Sequence, residues 1–395
     1  MEPVQNPPAP MRALLAGARR KEAELIAFAC RLVLFESPTG EKPAVDACMA
    51  LAAEQAKRLG GRVRIHRQRR FGDLVEARFG PRTKNAGQGD SRGIKPILLL
   101  GHLDTVWPVG ALQTMPCRVR EGRLSGPGAL DMKAGAAMAF SALEILLEAD
   151  LLNREVVLLL VSDEEVGSPV SRPVTEGLAR ECAAVYVLEP AQGLAYKTAR
   201  KGVGAWRVEI SGVAAHAGVD FDKGASAIRE LARTVETVSA WTDFARGLTV
   251  NAGVVAGGTR SNVVAAQAWV EIDARFARRA EGARLERRFA RLRAADPRCT
   301  LAVTGGISRP PMQRTAGTVR LYQTARALAA ELGFELPEAS TGGASDGNFT
   351  SALGIPTLDG MGAVGEGAHS PGEQVDLAHL ALRTALLAAM MIAPA

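Results

Sequence analysis

The chain has 395 residues, too many for one ordinary hydrophobic core, so two domains are expected. Apolar residues make up 47% and charged residues 23%, which is the balance of a folded globular protein and excludes a disordered one. Lys and Arg exceed Asp and Glu by 48 to 42, and aromatics are only 5%, with none between the members of the run Arg62, Arg64, Arg67, Arg69 and Arg70, so that run reads as solvated surface and no nucleic-acid partner is expected.

Residues 1–10 are Pro-rich and read as a flexible tail, without the basic stretch and apolar run of a secretory signal. Apolar positions recur at helical spacing over 11–35, ahead of a Ser37-Pro38-Thr39-Gly40 break, and a second helix is expected over 44–59, stopped by Gly60-Gly61. Short strands follow at 62–67 and 73–79, then a polar, Gly-rich loop at 80–96. Three continuous apolar runs come next. The first, 97–100, ends in Gly101-His102; the second, 156–161, ends in Ser162-Asp163-Glu164-Glu165; the third, 184–188, ends in Glu189-Pro190. Helical patterns at 132–149 and 172–180 separate them. Apolar strands alternating with helices imply a sheet buried on both faces, and polar residues just past the strand ends lie where open α/β sheets place their sites.

From 195 to 306 the texture changes. Strands with partial alternation at 205–210, 248–255 and 267–276 are separated by helices at 224–240 and 281–294. The α/β pattern then returns with a helix at 318–332, a strand at 356–358 and a closing helix at 376–391. The expected fold class is α/β: a mixed, mostly parallel sheet sandwiched by helices, formed by 11–194 and 307–395, with an inserted α+β domain at 195–306. The apolar strings are strand-sized, so no membrane association is expected. Cys30, Cys48, Cys117, Cys182 and Cys299 are scattered, which argues against disulfides and thiolate metal sites and suits a cytoplasmic protein.

The chemistry-bearing residues gather at the strand ends: His102 and Asp104, Asp131, Glu164 and Glu165, Glu189, and much later His369. Only five histidines are present, and His102 and His369 both stand in Gly/Ser-flanked, non-periodic segments. Imidazoles and carboxylates without cysteine suit catalytic zinc, or manganese or cobalt in the same cage. His102 and Asp104 are two apart on an extended segment and share a face, so Asp104 is placed to hold the other ring nitrogen of His102. Taken alone, each pair is more often an ordinary polar loop. His66, among arginines, and His379, inside the last helical pattern, read as structural.

Taken together, Gly101-His102-Leu103-Asp104-Thr105-Val106-Trp107, Gly126-Pro127-Gly128-Ala129-Leu130-Asp131-Met132-Lys133, Ser162-Asp163-Glu164-Glu165-Val166-Gly167-Ser168 and Leu188-Glu189-Pro190 resemble the metallopeptidase and deacylase family of glutamate carboxypeptidase, aminoacylase, acetylornithine deacetylase and succinyl-diaminopimelate desuccinylase. The resemblance covers nearly the whole chain, with the motifs in the family's order and spacing. It implies a zinc exopeptidase-like catalytic domain, an inserted dimerisation and lid domain, and two Zn2+ per subunit, with Co2+ or Mn2+ as alternatives. Asp131 would bridge the ions, His102 and Glu189 would complete one site, and Glu165 and His369 the other. Glu164 would be the general base for a dizinc-bridged hydroxide and Asp104 would orient His102. Neighbours on an extended segment point oppositely, so Glu164 would stay free while Glu165 turns to the metals. The family's cis peptide falls at Asp131-Met132.

The inserted domain carries further family marks. Val213-Ala214-Ala215-His216-Ala217-Gly218 matches the loop whose histidine, here His216, reaches the partner's site in a homodimer and stabilises the oxyanion. Thr259-Arg260-Ser261-Asn262-Val263 matches a substrate loop containing Asn262, and Ile272-Asp273-Ala274-Arg275-Phe276 supplies Arg275 as a clamp for a substrate carboxylate. Gly342-Gly343-Ala344-Ser345-Asp346 resembles a Gly-rich turn whose amides, Gly343 among them, would bind the carboxylate terminus. Glu189, where aminopeptidase and dipeptidase relatives carry Asp, fits carboxypeptidases and deacylases, and Lys197, eight residues on, is placed to meet an acidic side chain. Met132 replaces an acidic residue of the folate-cleaving carboxypeptidase and Gly-Gly-Ala-Ser-Asp replaces its Gly-Gly-Gly-Thr-Asp, which leaves the exact substrate open. The expectation is a glutamate-type carboxypeptidase cleaving the amide of an N-acyl or peptidyl amino acid; the alternative is a small-molecule deacylase. A metal-binding scaffold without turnover is the third reading, and the presence of Glu164 argues against it.

Overall fold

A computed structural model describes residues 9–81 and 94–394, so most of the expected N-terminal tail and of the Gly-rich loop at 80–96 lies outside the described residues. The three apolar runs form neighbouring parallel strands. A six-stranded sheet runs in the order Arg62–His66, Leu74–Phe79, Val156–Val161, Ile97–His102, Ala184–Val187, Thr357–Leu358. The first two pairings are antiparallel and the other three parallel. Because successive side chains point to opposite faces, each apolar run feeds two cores. Ile97, Leu99, Val156, Leu158 and Leu160 join the core beneath the helices Glu22–Leu34, Lys42–Arg58, Ala134–Glu148 and Leu380–Ile392. Leu98, Leu100, Val157, Leu159 and Val161 pack on the other side with Leu178 and Ala179 of the helix Arg172–Glu181.

Register then decides where the polar residues emerge. His102 lies opposite Val161 and Leu100 opposite Val187, so His102, the 162–165 segment and Glu189 all leave the sheet at one edge. A second, four-stranded antiparallel sheet orders Gly365–Glu366, Gln374–Asp376, Arg123–Ser125 and Arg118–Arg120. Sequence reading does not find it, since strands of two or three residues are too short to carry a periodic signal. Nor does it find the break at Lys21, which divides the expected 11–35 helix into Ala9–Arg20 and Glu22–Leu34. The Lys21 ammonium pairs with Glu144 and Glu148 at 3.4 and 2.8 Å.

The chain forms two compact units: the one just described, up to Ala199 with Arg314–Ser340 and the chain from Ser345 onward, and another made of Arg200–Gln313 with Thr341–Ala344. The second unit holds an antiparallel sheet ordered Thr249–Gly257, Gln267–Phe276, Gly202–Ser211, Thr300–Arg309. The helices Ala227–Ser239 and Arg279–Ala290 contribute to its core with Trp206, Val208, Ile210, Val270 and Ile272, and Trp206 stacks on Phe289 at 4.3 Å. The strand Thr300–Arg309 has no counterpart in the sequence reading. Half of its residues are exposed, and although Leu301 and Val303 alternate onto the core, Gly305-Gly306, with Gly305 at φ 94° close against the Ala205 backbone, cuts that alternation short. Among the described residues no helix is long and apolar enough to cross a membrane.

Candidate metal centre

His102 ends a central strand, and a Cβ on the preceding Gly101 would stand 2.7 Å from the Met132 Cε, so a larger residue there would have to shift the Met132 side chain. Met132 is fully buried and its sulfur accepts the His102 backbone N–H at 3.4 Å, a packing role that an acidic side chain at this position would not fill. The small sheet supplies the other half of the site. Gln374 pairs with Ser125, so the turn leading to Asp131 and the hairpin carrying His369 lie side by side. The Asp131-Met132 peptide is cis, where the family resemblance places it.

Five side chains converge. Asp131 sets Oδ1 3.2 Å from the His102 Nε2 and Oδ2 3.4 Å from the His369 Nε2. Glu189 Oε1 lies 3.6 Å from His102 Nε2, and Glu165 Oε2 lies 3.2 Å from His369 Nε2. Two triads result, His102–Asp131–Glu189 and Asp131–Glu165–His369, each with its ligand atoms within 4.8 Å of one another and able to hold a metal ion. His102 is buried, whereas the His369 side chain is 51% exposed, so the site opens on the His369 side.

The polar chemistry fits a pair of divalent cations. His102 Nδ1 lies 2.9 Å from the Asp104 carbonyl, which can only accept, so Nδ1 carries a hydrogen and a neutral ring turns the Nε2 lone pair toward Asp131 and Glu189. A lone pair facing carboxylate oxygens needs a cation between them, either a proton or a metal. Accordingly, burial disfavours the charged imidazole, but Asp104, Asp131 and Glu189 outweigh it and raise the His102 pKa well above its ordinary value. Hydrogen bonds to Asp131 and Glu165 push His369 up to about 10. Burial opposes ionisation of Asp131, yet the two imidazoles hold its carboxyl below the usual range. Burial pushes Glu165 up, and its Oε1 is buried without a hydrogen-bond partner among the described residues. An orphaned carboxylate oxygen beside imidazoles, with no thiolate in either triad, is the donor set of a hard or borderline cation.

Asp104 differs from the sequence expectation in how it acts. Its carboxylate Oδ1 is 3.5 Å from the His102 ring nitrogen, farther than its own carbonyl. The carboxylate instead accepts the backbone N–H groups of Glu164 and Glu165, at 3.3 and 3.2 Å, and the Thr39 hydroxyl at 2.8 Å. One buried residue therefore orients His102 through its backbone and the Glu164-Glu165 turn through its side chain. That turn is a 3-10 segment, Glu164–Val166, so the opposite-pointing rule for extended neighbours does not apply; the turn, anchored on Asp104, sends Glu165 to His369 and leaves Glu164 half-buried beside it.

Glu373 was not singled out from the sequence. Its buried carboxylate accepts the indole N–H of Trp107 at 2.9 Å and the backbone N–H groups of Gly128, Leu130 and Asp131 at 3.1, 2.9 and 3.0 Å. The only local signal is an acidic residue four positions past His369 in a Gly/Ser/Pro segment. Lys197 is buried. Its backbone pairs with Asp359 and its stem lies against Gly360.

In the second unit, His216 is exposed and its Nδ1 accepts the Gly218 N–H at 3.1 Å, which leaves the hydrogen of a neutral ring on Nε2. The Asn262 carbonyl accepts the Ala217 N–H at 3.0 Å, so the loops of His216 and Asn262 are joined. Arg275 is forked onto Asp273 of its own strand, both bonds 2.9 Å. Gly343 is held from behind by the buried Arg200, which donates to the carbonyls of Gly343 and Ala344 at 3.3 Å. His66 pairs with Glu76 at 2.8 Å, and His379 ends a 3-10 turn just before the last helix, 4.0 Å from Asp376.

The model of peptidase family M20/M25/M40 matches residues 98–393. Carboxypeptidase G2 of Pseudomonas sp. (strain RS-16) is 29% identical over 388 residues, 96% of this chain and 91% of that one. A succinyl-diaminopimelate desuccinylase of Delftia acidovorans is 30% identical over 295 residues, 68% of this chain and 74% of its own. Among solved structures, the aminopeptidase PepT of Bacillus cereus superposes with a TM-score of 0.78 at 21% identity, covering 94% of this chain and 98% of that one.

Proposed function

The chain belongs to peptidase family M20/M25/M40, whose hydrolases act on peptides or acyl amino acids and typically hold two metal ions, and within that chemistry we propose a zinc-dependent carboxypeptidase that releases a C-terminal amino acid, glutamate in the first instance. The observation that carries the reading is Asp131, shared between two triads of nitrogen and oxygen donors.

His102, Asp131 and Glu189 are proposed to hold one ion and Asp131, Glu165 and His369 the other, with zinc favoured by the imidazole and carboxylate set and cobalt or manganese as alternatives. When bound, two such ions supply Lewis acidity that eases deprotonation of water and polarises the amide carbonyl. Glu164, on the turn anchored by Asp104, takes the proton of the attacking water and returns it to the leaving amine nitrogen. Asp104 keeps the His102 ring in the tautomer that presents Nε2. His216 donates its Nε2–H to the oxyanion; in the proposed homodimer it serves the partner's site, which makes the unit of Arg200–Gln313 a dimerisation and lid domain and the other unit the catalytic domain.

Asn262, Arg275 and the amides around Gly343 are proposed to bind the substrate's free carboxylate, with Lys197 beside an acidic side chain. Arg275 would exchange Asp273 for that carboxylate. Similarity to carboxypeptidase G2 along nearly all of both chains supports the glutamate reading. The second reading, a deacylase of N-acyl or N-succinyl amino acids, is supported by the desuccinylase at 30% identity. The five unpaired cysteines support a cytoplasmic location. A panel of N-acyl amino acids and C-terminal glutamyl peptides, assayed with zinc-loaded protein and with Glu164→Gln as control, decides between them. Release of glutamate supports the first reading, and preference for acetyl- or succinyl-diamino acids the second. Absence of turnover by wild-type protein carrying two metals overturns both.

A further inference from the structure

We propose that Glu373 is a positioning residue of the metal centre: its carboxylate gathers the backbone of the turn at 128–131 and thereby sets where the shared ligand Asp131 points. This inference rests on the dimetal reading of the site and goes beyond it, since Glu373 touches neither imidazole of the cage.

Gly128 is left-handed at φ 70°, and Asp131 and Met132 depart from helical angles, so this turn leaves amides that no ladder satisfies. Three of them, from Gly128, Leu130 and Asp131, are donated to one side chain far along the chain. A carboxylate accepts about four hydrogen bonds and donates none, and with the Trp107 indole Glu373 has four N–H donors: Leu130 and Asp131 on Oε1, Gly128 and Trp107 on Oε2. The acceptor positions of this buried carboxylate are thus filled by N–H donors. One of the four comes from the amide of the ligand itself, so displacing the carboxylate moves the Asp131 backbone directly.

The clamp also links the two halves of the cage. Glu373 stands four residues after His369, its N–H donates to the Ser370 carbonyl at 3.0 Å, and it immediately precedes the strand Gln374–Asp376, which pairs with Arg123–Ser125. The hairpin that presents His369 therefore also sets Asp131, and two of the three ligands of the more open triad share one support. Glutamine in this place keeps the shape but must aim an amide N–H2 at one of the two donor pairs, so it retains about half of the bonds. Trp107→Phe removes a single bond, the only one of the four that does not come from the 128–131 turn.

The test uses full-length, metal-stripped protein. Zinc affinity is measured by competition with a chromophoric chelator, alongside the metal-free melting temperature and kcat and KM at saturating zinc. Glu373→Ala is expected to weaken zinc binding about ten- to a hundred-fold, Glu373→Gln less and Trp107→Phe least, with kcat falling more than KM changes. Zinc binding as tight as wild type in folded Glu373→Ala overturns the proposal. So does a fall in melting temperature with affinity and kcat preserved, which is the mark of a merely structural turn. If Glu373→Ala does not fold, Glu373→Gln and Trp107→Phe decide on the same readouts. If wild-type protein itself fails to bind zinc, the dimetal reading falls instead. Hydrogen exchange at the Gly128, Leu130 and Asp131 amides of metal-free Glu373→Gln then still decides the clamp: faster exchange supports it and unchanged exchange refutes it.

Discussion

Asp131 and His369 stand 3.4 Å apart, carboxylate oxygen to ring nitrogen, although most of the chain lies between them in sequence. The other oxygen of the same carboxylate is 3.2 Å from His102, which ends a strand of the large sheet. Asp131 is thus the joint between a ligand from the large sheet and a ligand from the small one. Asp131→Ala is expected to weaken binding of both metals by more than about a hundred-fold, beyond what loss of a supporting residue costs. Metal content after dialysis against limiting zinc checks this; retention of one tightly held ion would show that the triads are independent.

Metal uptake must displace protons. His369 is pushed up to about 10 by Asp131 and Glu165, and His102 is raised well above its ordinary value, so at pH 7 the metal-free cage holds imidazolium. Because the folded pKa of His369 lies above the unfolded one, its contribution to metal-free stability is full below about 6.5 and is lost as pH rises through about 10. Zinc competes for the same nitrogens and gains as they deprotonate. Zinc binding at pH 7 is therefore expected to release protons, and the thermal shift produced by zinc is expected to grow between pH 6 and pH 9. Calorimetry in buffers of different ionisation enthalpy measures the release; none observed would mean that the histidines of the metal-free cage are already neutral at pH 7.

Glu164→Gln removes the proposed base while leaving both triads whole. The expected loss in kcat is about a hundred- to ten-thousand-fold, with metal content unchanged. A variant that keeps wild-type kcat would assign the proton transfer elsewhere.

Asp104→Ala leaves the amides of Glu164 and Glu165 without their acceptor and the Thr39 hydroxyl with only the Thr105 carbonyl, at 3.5 Å. Unsatisfied buried donors cost about 1–3 kcal/mol. Denaturant unfolding is expected to show a loss of that order, accompanied by lower activity, since the turn carrying Glu164 loosens. The His102 tautomer is expected to persist, because its Nδ1 partner is the residue 104 carbonyl.

Arg275 offers a test of substrate recognition. Its fork is taken by Asp273, so Asp273→Ala is expected to lower KM for substrates ending in a free carboxylate and Arg275→Ala to raise it about ten-fold or more. A substrate with a terminal carboxamide should respond to neither. Equal effects on both substrates would remove Arg275 from the binding site.

What could be read from the sequence divides along physical lines. Runs such as Leu98-Leu99-Leu100 and Val156-Val157-Leu158 announce strands because both faces are buried, and a strand buried on both sides needs no alternation to be seen. His102, Asp131, Glu165, Glu189 and His369 were visible as polar residues at strand ends or in Gly-flanked turns, and the structure brings all five together. The small four-stranded sheet was not visible, because its strands, of two or three residues, are too short for any period to register. Glu373 was hidden for a related reason: its partners are backbone amides, and amides leave no trace in side-chain identity. The Asp104 carbonyl that sets the His102 tautomer is invisible in the same way.

The most direct test of the whole account is an anomalous difference map, collected at the zinc edge, from crystals of the full chain grown with zinc. Two peaks are predicted on either side of the Asp131 carboxylate, one bound by His102 and Glu189 and the other by Glu165 and His369. A map with no peak beside Asp131, or with zinc held by other residues, would contradict it.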